Sequence, residues 1–261
     1  MPADGYYQRL DVDRYLATRA TESPWDERLQ HGSPPTALLA RAMLQAHPRV
    51  DMRLARITSE FLGPIPRAEM EVRTRVLRPG KRIELLEGTL ASGGREVVSA
   101  RAWRIAVQPA GRIPPGVTPP DPVPPLPEPQ PPRTWLRGWG YGESMEWRYA
   151  SGVAEGPGPA AVWARAKIPL IAGEPIEPLD RALLLVDSAN GISAELPMDG
   201  WLFVPPSLTV ALERYPNGEW VLLEARTTLT DDGLGLTTSR LADVGSYFGS
   251  GTQALLVEKR S

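Results

Sequence analysis

The amino-acid sequence predicts an α+β fold that is built twice, with one long helix wrapped by an antiparallel sheet in each half. A proline-rich stretch divides the chain into two parts, and the same order of helix and strand patterns follows on each side of it. Helices do not alternate with strands, which disfavours a parallel sheet. We therefore predict an internal duplication with a period of about 152 residues.

The proline-rich stretch covers residues 108–133 and contains twelve prolines. Proline removes the backbone donors that helices and central strands need, so this stretch should be an extended connector. The predicted boundaries are a first half at 1–107, the connector at 108–133 and a second half at 134–261.

The first half begins with a strand-like segment at 13–20, and its helix starts at Ser33. Serine followed by Pro34 and Pro35 is typical of a helix N-terminus, and an apolar run at 36–46 continues the helix. The extended segments that follow are 54–64, 68–92 and 95–107, with turns at Pro79-Gly80 and Gly93-Gly94. This pattern predicts one helix and an antiparallel sheet.

The second half repeats the pattern, with strand-like segments at 145–152 and 160–171 and a helix at 180–193. Its later strands turn at Asn217-Gly218 and at 231–233. The two halves are aligned by matching Gly80 with Gly233, Leu90 with Leu241, and Ala102 with Ala254.

The amino-acid composition limits the kinds of molecule that the chain could bind. With 29 basic and 31 acidic residues, the chain has no overall charge that would attract nucleic acid or an anionic membrane. It has no apolar run long enough for a membrane span and no signal-peptide pattern, so we expect a cytoplasmic protein. Without cysteine and with two histidines, we expect no metal site.

Four segments resemble one family: QHGSPPTALLARA, LRPGKRIELLEGTL, LTVALERYPNGEWVLLEARTTLTDDGLGLTTSRL and TQALLVEKR. They are similar to bacterial acyl-CoA thioesterases of the double-hotdog, TesB-like type, over nearly the whole chain except the connector. The resemblance implies a tandem (double) hotdog fold and cofactor-free hydrolysis of acyl-CoA or acyl-carrier thioesters in lipid metabolism. Hotdog domains also carry other activities, so the motifs specify the fold better than the chemistry.

In that family an Asp, a Gln and a Thr hold the hydrolytic water. The resemblance places the Asp at Asp187 and the Gln at Gln253. The Thr position falls near Pro205, so this chain departs from the pattern, and Ser207 or Thr209 would have to supply the hydroxyl.

The residues themselves allow the same interpretation. Asp187 lies in an apolar helix, where burial would raise its pKa and suit it to act as a general base, with Asn190 one turn further on. Gln253 lies among apolar strand residues, and its amide could orient water. The alternatives are that Asp187 caps a neighbouring segment, that Gln253 is an edge residue, and that Ser207 and Thr209 are ordinary half-buried strand residues.

Besides Asn190, two further groups are candidates for substrate binding. His31 and Gly32 precede the first helix, whose positive end and free N–H groups could contact the substrate. Arg78, Lys81 and Arg82 could bind the phosphates of coenzyme A. The structural alternatives are a loop histidine beside a helix cap and a solvated basic hairpin.

The sequence thus favours a thioesterase with one site per chain, in which the acyl chain lies in an apolar channel between helix and sheet. The absence of a G-x-S-x-G motif disfavours a serine hydrolase. The altered threonine position keeps a second hypothesis open, a non-hydrolytic protein that binds or tailors acyl thioesters in lipid or polyketide metabolism. A tandem chain already contains the pair of sheets that hotdog domains usually form, and a homodimer of the chain is a further expectation.

Overall fold

The computed structural model describes residues 4–114, 116, 118–152 and 156–260. In this part of the chain, thirteen strands form one sheet whose pairings between strands are all antiparallel. The first-half strands are β1 Tyr7–Arg9, β2 Arg14–Ala17, β3 Met52–Phe61, β4 Glu69–Arg78, β5 Ile83–Ser92 and β6 Arg95–Ala106. The second-half strands are β7 Met145–Ser151, β8 Ala160–Ala166, β9 Trp201–Val204, β10 Ser207–Leu212, β11 Val221–Leu229, β12 Leu234–Ala242 and β13 Tyr247–Lys259. The helices are α1 Ser33–Ala46, α2 Gly140–Glu143, α3 Pro178–Leu183 and α4 Ala189–Ile192.

The sheet has the same strand order on both sides of its centre. Strands β3 and β10 pair at the centre, and the order outward is β6-β5-β4-β2-β1 on one side and β13-β12-β11-β8-β7 on the other. Val72 pairs with Leu90 in the first half and Leu223 pairs with Leu241 in the second, so equivalent residues lie 151 positions apart. The order of elements therefore occurs twice, as the sequence predicts.

Strand register corrects two of the sequence matches. Leu90 does correspond to Leu241, but Ala102 corresponds to Gln253, because Ala102 pairs with Leu86 as Gln253 pairs with Thr237. Ile83 pairs with Ile105 as Leu234 pairs with Leu256, so Arg82, and not Gly80, lies at the position of Gly233. Register, and not residue identity in a turn, sets the correspondence between the halves.

The two halves share one hydrophobic core. Helix α1 packs against α3, and the buried Arg41 donates hydrogen bonds to Asp180 of α3 and, at 2.9 Å, to Glu174. The connector thus joins two parts that pack together, and the boundaries at 108–133 stay a prediction.

The second helix is shorter than predicted. The sequence predicts one helix over 180–193, whereas the structure has α3, a 3₁₀ turn at Val186–Ser188, and α4. The Asp187 N–H donates to Ser33 Oγ at 3.0 Å instead of to a carbonyl of its own helix. The Ser188 N–H bonds to the Leu185 carbonyl three residues back, which tightens the turn. This break presents the Asp187 side chain towards α1.

The described residues of the connector form neither helix nor strand between 118 and 132. Val123 and Leu126 pack against the buried cluster that contains Trp163 and Leu222. The Gln130 side chain hydrogen-bonds both backbone groups of Tyr149, at 2.9 and 3.0 Å. The connector therefore covers apolar side chains of β8 and β11 and lies alongside β7.

None of the helices in the described ranges is long and apolar enough to cross a membrane.

Candidate active site

The polar centre of the site is Asp187, in the turn between α3 and α4, with only 5% of its surface exposed. The Gly32 N–H donates to its Oδ2 at 3.0 Å, and the Gln253 amide Nε2 donates to its Oδ1 at 2.8 Å. Gly32 precedes α1 and Gln253 lies on β13, so the carboxylate is held by both halves of the chain. The structure thus brings together Asp187 and Gln253, which the family resemblance implies as site residues, and Gly32, which was predicted from its place before the first helix.

Burial sets the protonation of this carboxyl. It raises the pKa of Asp187 to about 7, although the Gly32 N–H and the Gln253 amide favour the ionised form. A carboxylate with a pKa near neutrality is suited to accept a proton from water and to release it again.

The close approach of α1 to Asp187 requires a glycine at position 32. A Cβ there would lie 2.6 Å from Phe61 Cζ and 2.7 Å from Asp187 Oδ2. Both distances are shorter than van der Waals contact, so any larger residue would displace the carboxylate. The predicted contact of Gly32 with substrate is not tested by this packing, which shows that Asp187 occupies the space beside the Gly32 Cα.

His31 contacts the same carboxylate, with Nδ1 3.5 Å from Asp187 Oδ2. The Ser33 N–H donates to Nδ1 at 3.2 Å, so this nitrogen is an acceptor and the ring proton is on Nε2. Burial lowers the pKa of His31 to about 3, which keeps the ring neutral. The ring stacks on Tyr141 at 4.1 Å. Sequence reasoning missed the partnership with Asp187 because the two residues lie in different halves.

The start of α1 does not offer the free N–H groups that the sequence analysis expected. The Gly32 and Ser33 N–H groups bind Asp187 and His31, and Thr36 N–H bonds to the Gly32 carbonyl. Pro34 and Pro35 have no N–H. His31 and Gly32 line the cavity, and their contact with substrate stays a prediction, although these N–H groups already have partners within the protein.

Asn190 lies on α4 and lines the cavity beside Asp187. Its Nδ2 donates to the Phe203 carbonyl at 3.1 Å, which fixes the orientation of the amide. An amide nitrogen has two protons, so a second N–H is available for a substrate oxygen.

Ser207 and Thr209 lie on the face of the sheet opposite to Gln253. Along β10, Leu208 and Val210 are buried and alternate with the two hydroxyl residues. Thr209 pairs with Thr252, the residue next to Gln253, and adjacent strand residues point to opposite faces. The Thr209 hydroxyl hydrogen-bonds Thr58 at 3.0 Å. The structure does not bring either hydroxyl to Asp187.

The basic hairpin lies at the other end of α1. The Arg49 side chain donates to the Gly80 carbonyl at 3.4 Å, which holds the hairpin close to the C-terminus of the helix. A helix of 14 residues is about 21 Å long, so Arg78, Lys81 and Arg82 are far from Asp187. They do not line the cavity, and a role in binding phosphate stays a prediction.

A cavity of about 1470 Å³ opens beside Asp187, His31 and Asn190. Aromatic side chains from both halves line it: Trp25, Phe61, Trp135, Trp139, Trp147 and Phe203. The charged side chains along its wall are mostly acidic: Glu22, Asp26, Glu27, Glu195 and Asp199, with Arg137 as the basic one. Its volume exceeds the roughly 300–1000 Å³ of common small-molecule pockets.

Next to α4, where an apolar acyl channel between helix and sheet was expected, the second-half sheet carries buried hydroxyl side chains. Ser193, Thr227 and Thr237 are buried and form a chain of hydroxyl hydrogen bonds at 2.8 and 2.7 Å. Ser193 directly follows α4, and Thr227 and Thr237 lie on β11 and β12. These three side chains do not line the cavity.

Within the described ranges, no group of three or more His, Asp or Glu side chains is arranged to hold a metal ion.

Comparison with known proteins gives the family. The model of the acyl-CoA thioesterase N-terminal domain matches residues 21–105, and that of the acyl-CoA thioesterase C-terminal domain matches residues 120–257. A search among curated proteins gave no significant match.

Solved structures share the fold over nearly the full length. A protein of unknown function with a hot dog fold from Alicyclobacillus acidocaldarius has a TM-score of 0.73 at 16% identity, covering 99% of this chain and 98% of its own. Acyl-CoA thioesterase II TesB2 from Mycobacterium marinum has a TM-score of 0.69 at 15% identity, and the match covers 98% of this chain and 95% of that protein. The tesB protein from Mycobacterium avium subspecies paratuberculosis has a TM-score of 0.67 at 13% identity, and the match covers 97% of this chain and 95% of that protein. With both domain models matched, the chain belongs to the acyl-CoA thioesterase family.

Proposed function

We propose that this protein hydrolyses acyl thioesters of coenzyme A or of an acyl carrier, with Asp187 as the general base. One observation carries the proposal: a buried carboxyl with a pKa of about 7 is held by Gly32 and Gln253 at the wall of a large cavity. Its ionised form accepts a proton from water as the water oxygen attacks the thioester carbonyl carbon.

Gln253 and Asn190 have complementary roles in this proposal. The Gln253 Oε1 atom is buried and has no hydrogen-bond partner among the described residues, so a water molecule that donates to it would satisfy this acceptor. The same amide holds Asp187 through Nε2. The second N–H of Asn190 donates to the carbonyl oxygen, where negative charge develops.

The altered threonine position motivates the second candidate, a protein that binds acyl thioesters without hydrolysing them. Pro205 lines the cavity and supplies no hydroxyl, and Ser207 and Thr209 face away from the site. The intact contact between Asp187 and Gln253 nevertheless supports hydrolysis, because a binding protein has no need of a buried base.

The substrate and the fold can be proposed in more detail. The repeated strand order supports a tandem hotdog in which one half supplies Asp187 and Gln253. Strand pairing places Ala102 at the position of Gln253, and the same offset of 151 residues counts back from Asp187 to Thr36, so the first half has no carboxylate–amide pair at these positions. One working site per chain follows. The wide aromatic wall around Trp25 and Phe203 suits bulky or aromatic acyl groups.

Thiol release from a panel of acyl-CoAs tests the function. The panel should contain straight-chain acyl groups of graded length and aryl-acyl groups of equal carbon number. We expect turnover with at least one member. Tight binding of the whole panel without thiol release would favour the non-hydrolytic candidate.

A further inference from the structure

The contact between His31 and Asp187 joins two groups that repel each other when the carboxyl is ionised. His31 Nδ1 is an acceptor, because the Ser33 N–H donates to it at 3.2 Å. Asp187 Oδ2 lies 3.5 Å from that nitrogen and is also an acceptor. The single lone pair of Nδ1 accepts from the Ser33 N–H, and a protonated Asp187 can share this acceptor, whereas an ionised Asp187 has no proton to donate to it. The approach of 3.5 Å therefore allows the carboxyl to pass a proton to Nδ1 once Asp187 has taken that proton from water.

The other side of the ring carries the proton that the leaving group needs. His31 lines the cavity, and its Nε2 holds the ring proton. The ring plane is fixed by two aromatic neighbours. The centroid of the His31 ring lies 4.1 Å from that of Tyr141, on which it stacks, and 6.1 Å from that of Trp139. The ring cannot easily hold two protons, because burial lowers the pKa of His31 to about 3. A proton gained at Nδ1 thus favours loss of the proton at Nε2.

The surroundings make an unprotonated leaving group unfavourable. The thiol departs into a cavity whose wall carries Trp139 and Trp147, beside a buried carboxyl group. A thiolate in such an environment is poorly solvated, and the acidic residues along the wall repel it further.

We propose that His31 is a catalytic residue that protonates the departing sulfur while it takes the proton from Asp187. This step rests on the proposed thioesterase function. As the C–S bond of the tetrahedral intermediate breaks, its electron pair moves to sulfur, which takes the proton from Nε2. At the same time, Asp187 passes to Nδ1 the proton that it received from water.

The step is balanced. Water supplies oxygen to the acyl group and one proton to Asp187, and its second proton leaves with the carboxylic acid product. Sulfur gains the former Nε2 proton, Asp187 is ionised again, and His31 stays neutral with its proton on Nδ1. Exchange with water then returns the ring to the Nε2–H form, which the Ser33 N–H favours.

A pair of substrates with one acyl group and different thiols tests this role. The acyl group that the panel selects is joined to pantetheine, whose thiol is weakly acidic, or to para-nitrothiophenol, whose thiolate leaves without protonation. We expect His31→Phe, which keeps an aromatic ring on Tyr141, to lower kcat/KM about 100-fold for the pantetheine ester and less than about 3-fold for the aryl ester. His31→Gln should give the same selectivity and covers the case in which His31→Phe folds poorly.

His47→Phe is the matched control, because His47 lies at the C-terminal end of α1 next to Thr74 and should leave both rates unchanged. Equal losses on both esters would show that His31 acts on the carbonyl oxygen or on the fold, and would overturn the inference alone. A wild-type protein that hydrolyses neither ester would overturn the proposed function as well. NMR of the imidazole nitrogens should show a neutral Nε2–H ring at pH 7, and an imidazolium there would contradict the relay.

Discussion

The backbone N–H of Gly32 donates to Oδ2 of Asp187 at 3.0 Å, which joins two residues 155 positions apart at the centre of the site. Gly32 directly precedes the helix of the first half, and Asp187 lies in the break of the second helix. The site therefore needs both halves in their observed arrangement.

The first prediction concerns Gly32. Gly32→Ala places a methyl group 2.6 Å from Phe61 and 2.7 Å from Asp187 Oδ2, so the carboxylate must move. We expect kcat to fall more than about tenfold, since small displacements of catalytic groups have large effects on rate. Gly200→Ala is the control, because a Cβ at Gly200 meets no atom within 4 Å. Equal activity of the two variants would show that the position of Asp187 is unimportant.

The pH dependence should follow Asp187. Because the base must be ionised, kcat/KM should rise with pH through a pKa of about 7. The Gln253 amide favours the ionised form, so Gln253→Leu should move this acid limb to higher pH. Gln130→Leu, on the connector, should leave the limb in place. A pH–rate profile of the three proteins tests this, and an unshifted limb in Gln253→Leu would contradict the assignment.

The pH dependence of the folding stability should also reflect the raised pKa of Asp187. The pKa of Asp187 is about 7 in the folded protein and 3.8 in the unfolded chain, so folding favours its protonated form. Its contribution to stability is complete below pH 3.8 and is lost as pH rises to 7. The stability of Asp187→Asn relative to wild type should therefore increase between pH 4 and pH 8, by up to about 4 kcal/mol. Urea unfolding at the two pH values measures this.

Asp243→Asn is the opposite case. Burial alone would raise the pKa of Asp243, but the Arg214 guanidinium and backbone N–H groups outweigh it and hold the pKa below its usual range. This variant should be less stable than wild type at pH 8. The stability of Asp243→Asn relative to wild type should not increase between pH 4 and pH 8, and an increase equal to that of Asp187→Asn would show that the burial of Asp187 is not the cause.

The strand hydroxyls should be dispensable for catalysis. Thr209 hydrogen-bonds Thr58 at the central seam of the sheet, and these two residues occupy equivalent positions in the two halves. Thr209→Val should cost about 1 kcal/mol of unfolding free energy and change kcat less than about twofold. Ser207→Ala should be equally active. A loss of activity in either variant at unchanged stability would show that its hydroxyl takes part in catalysis.

Local patterns predicted much of this molecule and could have predicted more. Turn residues such as Gly93-Gly94 mark hairpins, and the polar residues Asp187 and Gln253 stand out among apolar neighbours. The alternation of Leu208 and Val210 with Ser207 and Thr209 already places the hydroxyls on the other face, although the family resemblance drew attention to them.

Contacts between the two halves could not be predicted from local sequence patterns. The break at Asp187 depends on Ser33 Oγ, and the role of His31 depends on Asp187, so neither follows from the neighbouring residues. The apolar pattern of 180–193 favours one continuous helix, and the hydrogen bond from Asp187 to the other half interrupts it.

The base assignment is tested most directly by thiol release from the preferred acyl-CoA at pH 8 with wild-type protein and Asp187→Asn. Asparagine fills the same space and can still meet Gln253, but it cannot accept a proton. We predict that kcat falls by at least about 100-fold while substrate binding is retained. An Asp187→Asn protein that releases thiol at the wild-type rate would contradict the assignment of Asp187 as the base.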